Sequence, residues 1–247
     1  MQGLITLDFG NTNPHAGFFV KSHNKWSFLK ATPLHEFHNN LDAHRLNAHN
    51  SSIVLCEVKS RENEMTRLRD QGFLVTRVKD YWRGNAFSGM PVHYSRTLGE
   101  DRLIEAFYCF KKMKSPTLLI DAGTYVTMDV ITESGFMGGY IIPGLQTYFE
   151  CFKSGELLKD VPLNESFSDN LPQLTSQAMT ESYTAFVAFA RKLVIQHKLK
   201  NILITGGLMP LWLDFLKGKM VEAVVEGHPH LIHFALHYWM TTQIEPI

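Results

Sequence analysis

An imbalance of charge is missing from this sequence. Lys and Arg together number 24, as do Asp and Glu, over 247 residues. Without a basic excess, nucleic acid is not an expected partner. Without a basic amphipathic stretch, neither is a membrane surface. Long hydrophobic runs are absent too, so no bilayer-spanning helix is expected. No charged start followed by an apolar run suggests a secretory leader. Cysteine is scarce: Cys56, Cys109 and Cys151 stand far apart with no C-x-x-C spacing. That argues against a disulfide framework or a zinc site, and for free thiols in a reducing compartment. The expectation is a soluble, cytoplasmic protein with chain enough for one large domain or two of about 120 residues.

What is present is a repeated order of elements. β-rich runs separated by turn residues predict strands over 2–8, 15–21 and 25–30, then a helix over 34–46. A strand over 52–57, a charged helix over 60–71 and a strand over 73–78 follow, and 80–98 reads as irregular. The helix predicted over 100–113 opens with Glu100 and Asp101 and closes on lysines, a polarity that suits its dipole. The order then restarts, with strands over 117–123, 124–132 and 135–142 and a helix over 145–157. One long helix over 174–198, strands over 201–205 and 221–225, and a helix over 229–241 complete it. The reading is two similar α/β domains, 1–114 and 115–247, divided near the Pro116-containing KKMKSPT.

Each half carries the same turn. LDFGNT (7–12) and IDAGT (120–124) each end an apolar strand in an Asp, followed by a Gly and a hydroxyl residue. Two ordinary hairpins would give this pattern. So would a phosphate clamp, in which carboxylates hold a cation and the Gly brings backbone N–H groups close to a ligand. LGEDRL (98–103) is either a surface ion pair at a helix start or a general base, Asp101, with an anchoring Arg102. GFMGGYIIPGL (135–145) and ITGG (204–207) are glycine-rich turns that suit close packing or a nucleotide wall. His35, His38, His44 and His49, and likewise His228, His230, His233 and His237, read as solvated helix faces rather than metal sites.

Together these motifs resemble the type III pantothenate kinases, of the acetate kinase, sugar kinase, Hsp70 and actin superfamily. D-x-G-N-T-x-x-x-x-G matches Asp8, Gly10, Asn11, Thr12 and Gly17, and L-G-x-D-R matches Leu98, Gly99, Asp101 and Arg102. D-x-G-T-x-x-T-x-D matches Asp121, Gly123, Thr124, Thr127 and Asp129. G-G-x-I-x-P-G-L matches Gly138, Gly139, Ile141, Pro143, Gly144 and Leu145, and T-G-G matches Thr205 to Gly207.

The resemblance implies an α/β fold of two duplicated RNase H-like, actin-like ATPase domains with a cleft between them. It implies ATP-dependent phosphorylation of pantothenate to 4'-phosphopantothenate, the first step towards coenzyme A. Asp8, Phe9, Gly10, Asn11, Thr12, Asn13 and Thr124 would bind ATP, with Asp8 also at Mg²⁺. Asp121 would hold K⁺ or NH₄⁺, and Asp101 would be the catalytic base. Gly99, Glu100, Asp101, Arg102 and Tyr94 would line the pantothenate site. Thr175, in TSQA, would reach pantothenate across a homodimer interface, which makes 174–198 a dimer candidate.

Three departures from the family pattern stand out. VLCEVKS (54–60) replaces S-V-V-P, Ser182 replaces a Gly, and Val92 holds the usual place of Tyr94. They bear on the substrate more than on the phosphate chemistry. A kinase acting on another small alcohol and a non-catalytic regulatory relative are the alternative readings.

Overall fold

The computed structural model describes residues 2–10, 13–58, 60–113, 115–162, 167–168 and 170–243. Two compact units divide the chain. One comprises Met1–Met113, Ser134–Met137 and His230–Ile247, the other Lys114–Glu133 and Gly138–Pro229.

The first unit opens with β1 (Gln2–Phe9), β2 (His15–Ser22) and β3 (Lys25–Pro33), then a short helix α1 (Phe37–Ala43), β4 (Ser51–Glu57), α2 (Glu62–Asp70) and β5 (Leu74–Arg77). The sheet order is β3-β2-β1-β4-β5. β1 runs antiparallel to β2 and parallel to β4. As the central strand it is covered on both faces, which is why Leu4, Ile5, Leu7 and Phe9 are all buried rather than alternating. Three two-residue strands, β6 (Trp82–Arg83), β7 (Ala86–Phe87) and β8 (Met90–Pro91), form a small antiparallel sheet where the sequence reads as irregular. The helix α3 (Glu100–Lys112) follows, with Gly99 as its N-cap.

The second unit repeats the plan. It contains β9 (Thr117–Ala122), β10 (Tyr125–Thr132), most of β11 (Gly135–Pro143), α4 (Leu145–Glu150), α5 (Thr175–Ser182), α6 (Thr184–Gln196), β12 (Asn201–Thr205), α7 (Met209–Leu216) and β13 (Val224–Gly227). The sheet order is β11-β10-β9-β12-β13, the same as in the first unit. Its core gathers Leu118, Ile120, Met128, Tyr183, Leu193 and Trp212.

Five points differ from the sequence reading. The helix expected over 34–46 ends at Ala43, and Arg45 then takes a positive φ of 54°. The long helix over 174–198 is two helices that break at Tyr183. Ser182 donates its hydroxyl to Met179 O and Thr184 to Glu181 O, so local side-chain bonds compete with the helical ladder at the break. α7 was not anticipated, although Pro210 in its first turn is a start signal.

The closing helix α8 (Leu231–Gln243), expected in the second domain, belongs to the first unit. It packs on β1, β2, β4 and α3. It buries Leu231, Ala235, Leu236 and Trp239 there, and Trp239 Nε1 donates to Ser88 Oγ at 2.8 Å. Its histidines are not a solvated face. His233 is 1% exposed, and His237 stacks on Phe19 with ring centroids 4.3 Å apart. His237 also meets Trp26 edge-on at 5.3 Å, and His230, just before the helix, lies 5.4 Å from Phe28. No helix among the described residues is long and apolar enough to cross a membrane.

Candidate functional site

Asp8 is the penultimate residue of β1, opposite His15 on β2 and Cys56 on β4. Asp121 is the penultimate residue of β9, opposite Thr127 on β10 and Thr205 on β12. The duplicated sheets therefore present the two aspartates at the same register position. At the C-terminal end of parallel strands the chain leaves the sheet, and ligands bind there in open α/β folds.

In the first unit, the Asp8 carboxylate accepts the Cys56 thiol at 3.4 Å and stands 3.6 Å from His15 Nε2. Burial and then the nearby Asp101 charge push its pKa up to about 7. The Cys56 thiol is pushed up as well, first by burial and then by Asp8, so it stays a neutral donor. Burial also raises Asp101, against the Arg102 amide and guanidinium that favour its charged form.

α3 places the L-G-x-D-R residues in its entry turn. Asp101 Oδ1 accepts the Arg102 amide at 2.8 Å and folds back over Gly99, where a Cβ would collide with it. The Arg102 guanidinium lies 5.3 Å from the Tyr94 ring centroid and 5.9 Å from that of Phe136. Tyr94 thus sits with Arg102 despite its shifted place in the sequence, while Val92 is buried and bridges Phe136. Glu100 is buried and accepts the Glu57 amide at 3.2 Å. Phe9 is fully buried in the core, which leaves its backbone as the part that can meet a ligand. Asn13 is exposed, and Gly10 stands beside the Asp8 carboxylate. Asn11 and Thr12 lie outside the described residues.

In the second unit, Gly206 takes a φ of +86° directly over Asp121. A Cβ there would come within 2.5 Å of Asp121 Oδ1 and 2.6 Å of Ala122 O. Gly123 and Thr124 make the turn between β9 and β10, and Thr124 O accepts the Gly144 amide at 2.9 Å and the Thr147 hydroxyl at 2.8 Å. Thr175 is exposed at the first position of α5. The departure at Ser182 is engaged locally, with its hydroxyl 2.7 Å from that of Tyr148.

These residues suit the implied ions. Among the described residues, no group of three or more His, Cys, Asp or Glu side chains could hold a metal ion unaided. Mg²⁺ bound to a nucleotide needs no such cage, because one or two carboxylates and the phosphates suffice. A buried carboxylate raised to about 7 beside a second one is the donor that a cation would restore to its charged form. The Asp121 and Ala122 oxygens gathered at Gly206 are the hard donors that a monovalent cation prefers.

Sequence reasoning missed His15, Cys56 and His233. Thr6 donates its hydroxyl to Gly17 O at 3.2 Å, so at 2.8 Å it accepts from His233 Nδ1. The His233 proton is then on Nδ1, and its Nε2 is buried without a partner among the described residues. The His15 ring lies tilted against it, with centroids 4.8 Å apart. The signal available was the spacing: His15 lies in β2 directly across from Asp8.

Comparison with known proteins identifies the family. The family model for type III pantothenate kinase matches residues 4–196. A type III pantothenate kinase of Campylobacter hominis is 34% identical over 132 residues, 52% of this chain and 60% of that protein. One from Rhodopirellula baltica is 30% identical over 185 residues, 72% of this chain and 67% of that protein. With Persephonella marina the match covers 49% of the relative, so the chain spans about half to two thirds of the curated relatives it matches.

Two solved structures share the fold. One from Campylobacter jejuni, named for the Baf family of transcriptional activators, superposes with a TM-score of 0.58 at 21% identity, covering 96% of both chains. One from Sinorhizobium meliloti, named for 2-dehydro-3-deoxygalactonokinase, gives 0.61 at 11% identity, covering 99% of this chain and 100% of that one. The paired aspartate turns, the Gly99–Arg102 helix entry and a family match running from β1 through α6 agree, and the chain belongs to the type III pantothenate kinase family.

Proposed function

We propose that this protein transfers the γ-phosphoryl group of ATP to the primary alcohol of pantothenate, giving 4'-phosphopantothenate at the entry to coenzyme A synthesis. One observation carries the reading: within a single unit, two largely buried carboxylates, Asp8 at the end of β1 and Asp101 in the entry turn of α3, stand close enough that the Asp101 charge helps raise the Asp8 pKa. Phosphoryl transfer needs one acidic group for the cation on the phosphates and another for the attacking hydroxyl. A carboxylate with a raised pKa suits the second task, because it accepts a proton more readily than an ordinary one.

Asp101 takes the hydroxyl proton as the alcohol oxygen attacks the γ-phosphorus, and ADP leaves. Arg102, stacked on Tyr94, anchors the pantothenate carboxylate, and Gly99 and Glu100 shape the pocket floor. Asp8, with residues 9–13, receives the ATP phosphates, and Asp8 would hold the Mg²⁺ that supplies positive charge to them. Asp121 holds K⁺ or NH₄⁺, and Thr124 touches ATP. Thr175 reaches pantothenate from a partner subunit in a homodimer, and the protein works in the cytoplasm.

A coupled ADP-release assay with ATP, Mg²⁺ and pantothenate, in K⁺ or Na⁺, tests this. ADP formation that requires pantothenate and K⁺ is the expected result. A folded protein that releases ADP only with another alcohol, or not at all, overturns the substrate assignment.

A further inference from the structure

The strand end that replaces S-V-V-P carries an ion cluster that the family pattern does not assign. Glu57 closes β4, next to the Cys56 that bonds Asp8. Its buried carboxylate pairs with Arg77 Nη2, accepts Lys79 Nζ at 3.2 Å and accepts the Arg61 amide at 2.8 Å. Arg77 is itself buried and reaches Glu62 at 3.3 Å. The Glu57 amide points the other way and donates to Glu100 Oε2 at 3.2 Å. One residue therefore ties the end of β5, the start of α2 and the first turn of α3 to the strand beside Asp8.

A buried ion pair contributes little net stability, because desolvating both charges offsets their attraction. What such a cluster does well is fix geometry. We propose that Glu57 is a positioning residue that, through its amide bond to Glu100, aligns the α3 entry turn and so sets where Asp101 meets the substrate. Neutralising the Glu57 side chain frees Arg77 and Lys79 from the strand end, lets Glu57 turn, and loosens its amide from Glu100. The effect on turnover rests on the transfer reaction proposed above. The effect on the turn itself does not.

The test is Glu57→Gln, read by hydrogen exchange and by kinetics. Amide exchange over 100–103 is expected to rise about tenfold while β1 amides stay protected. With pantothenate and ATP, kcat is expected to fall about tenfold and KM for ATP to stay within about twofold. Unchanged exchange at the α3 entry overturns the proposal, whatever the activity. Raised exchange with unchanged kcat overturns the catalytic consequence. If the native protein shows no pantothenate turnover, the function reading fails while the exchange result still decides the positioning. Lys79→Met, which removes the half-exposed partner alone, is read in the same way should Glu57→Gln not fold, with a smaller rise expected over the same amides.

Discussion

Asp101 folds its carboxylate back over Gly99, so that the space where a Gly99 side chain would begin is already filled by Asp101 Oδ1. Gly99 has an ordinary extended φ of −61°, so the glycine is required by contact and not by backbone conformation. Gly99→Ala must displace the carboxylate rather than the helix. We expect turnover to fall on the order of a hundredfold with the melting temperature changed by only a few degrees. A steady-state assay beside a thermal melt checks it, and a large loss of stability at full activity contradicts the role.

Asp8 gives a prediction of opposite sign for stability and activity. Its folded pKa, about 7, lies above the ordinary carboxylate value of 3.8. The folded state then holds a proton that the unfolded state has lost, so stability falls as pH rises from about 4 through 7. Asp8→Asn removes the Asp8 share of that slope and leaves the shares of Glu100 and Asp101, which burial also raises. It should be more stable than the native protein at pH 8, by on the order of 2–4 kcal/mol, while losing transfer activity. Melts at pH 5 and pH 8 for both proteins measure the difference in slope.

The histidines of α8 act in the reverse direction. Burial lowers His237 to about 4 and holds His233 well below the usual imidazole range. A histidine with a depressed folded pKa is protonated first in the unfolded state. Stability is therefore complete above about 6.5 and is lost as pH falls towards 4. For half-buried His237 the loss by pH 5 is on the order of 1 kcal/mol, after allowing for solvent screening. His237→Phe, which keeps the stack on Phe19, should flatten the acid limb of a melting-temperature profile. An unchanged limb would place the acid sensitivity elsewhere.

Gly17 lies against His233. A Cβ at Gly17 would stand 2.6 Å from His233 Cγ and 2.6 Å from Thr6 Oγ1. Gly17→Ala should cost about 1–3 kcal/mol through overpacking. Pairing it with His233→Ala should recover part of that loss, because the clashing ring is gone. Denaturant unfolding of the two single variants and the double variant gives the coupling directly.

Much of this architecture was legible in the sequence. The duplicated order of strands and helices and the two aspartate turns show because Gly, Thr and Asp at strand ends leave a local signature. The Gly99–Arg102 entry shows because a helix start is marked within four residues. The break at Tyr183 did not show, because Thr and Ser are tolerated in helices and only their actual bonds to Met179 and Glu181 decide it. The Glu57 cluster unites residues far apart in the chain, and no short window contains Arg77 and Glu100 together. The place of α8 was misjudged for the same reason: its apolar face is readable, but not the sheet that receives it.

That last helix bears on how the protein is made. β1 and β2 leave the ribosome well before the helix that covers them, which is encoded more than two hundred residues later. At about 5–20 residues per second the first strands wait roughly 10–40 s for their cover. During that interval Phe19, Phe28 and Trp26 face water with no partner helix, while the second unit, continuous apart from residues 134–137, can complete its own sheet. The inserted unit finishes before its host, and the nascent first unit is the segment for which a chaperone would have the most to do.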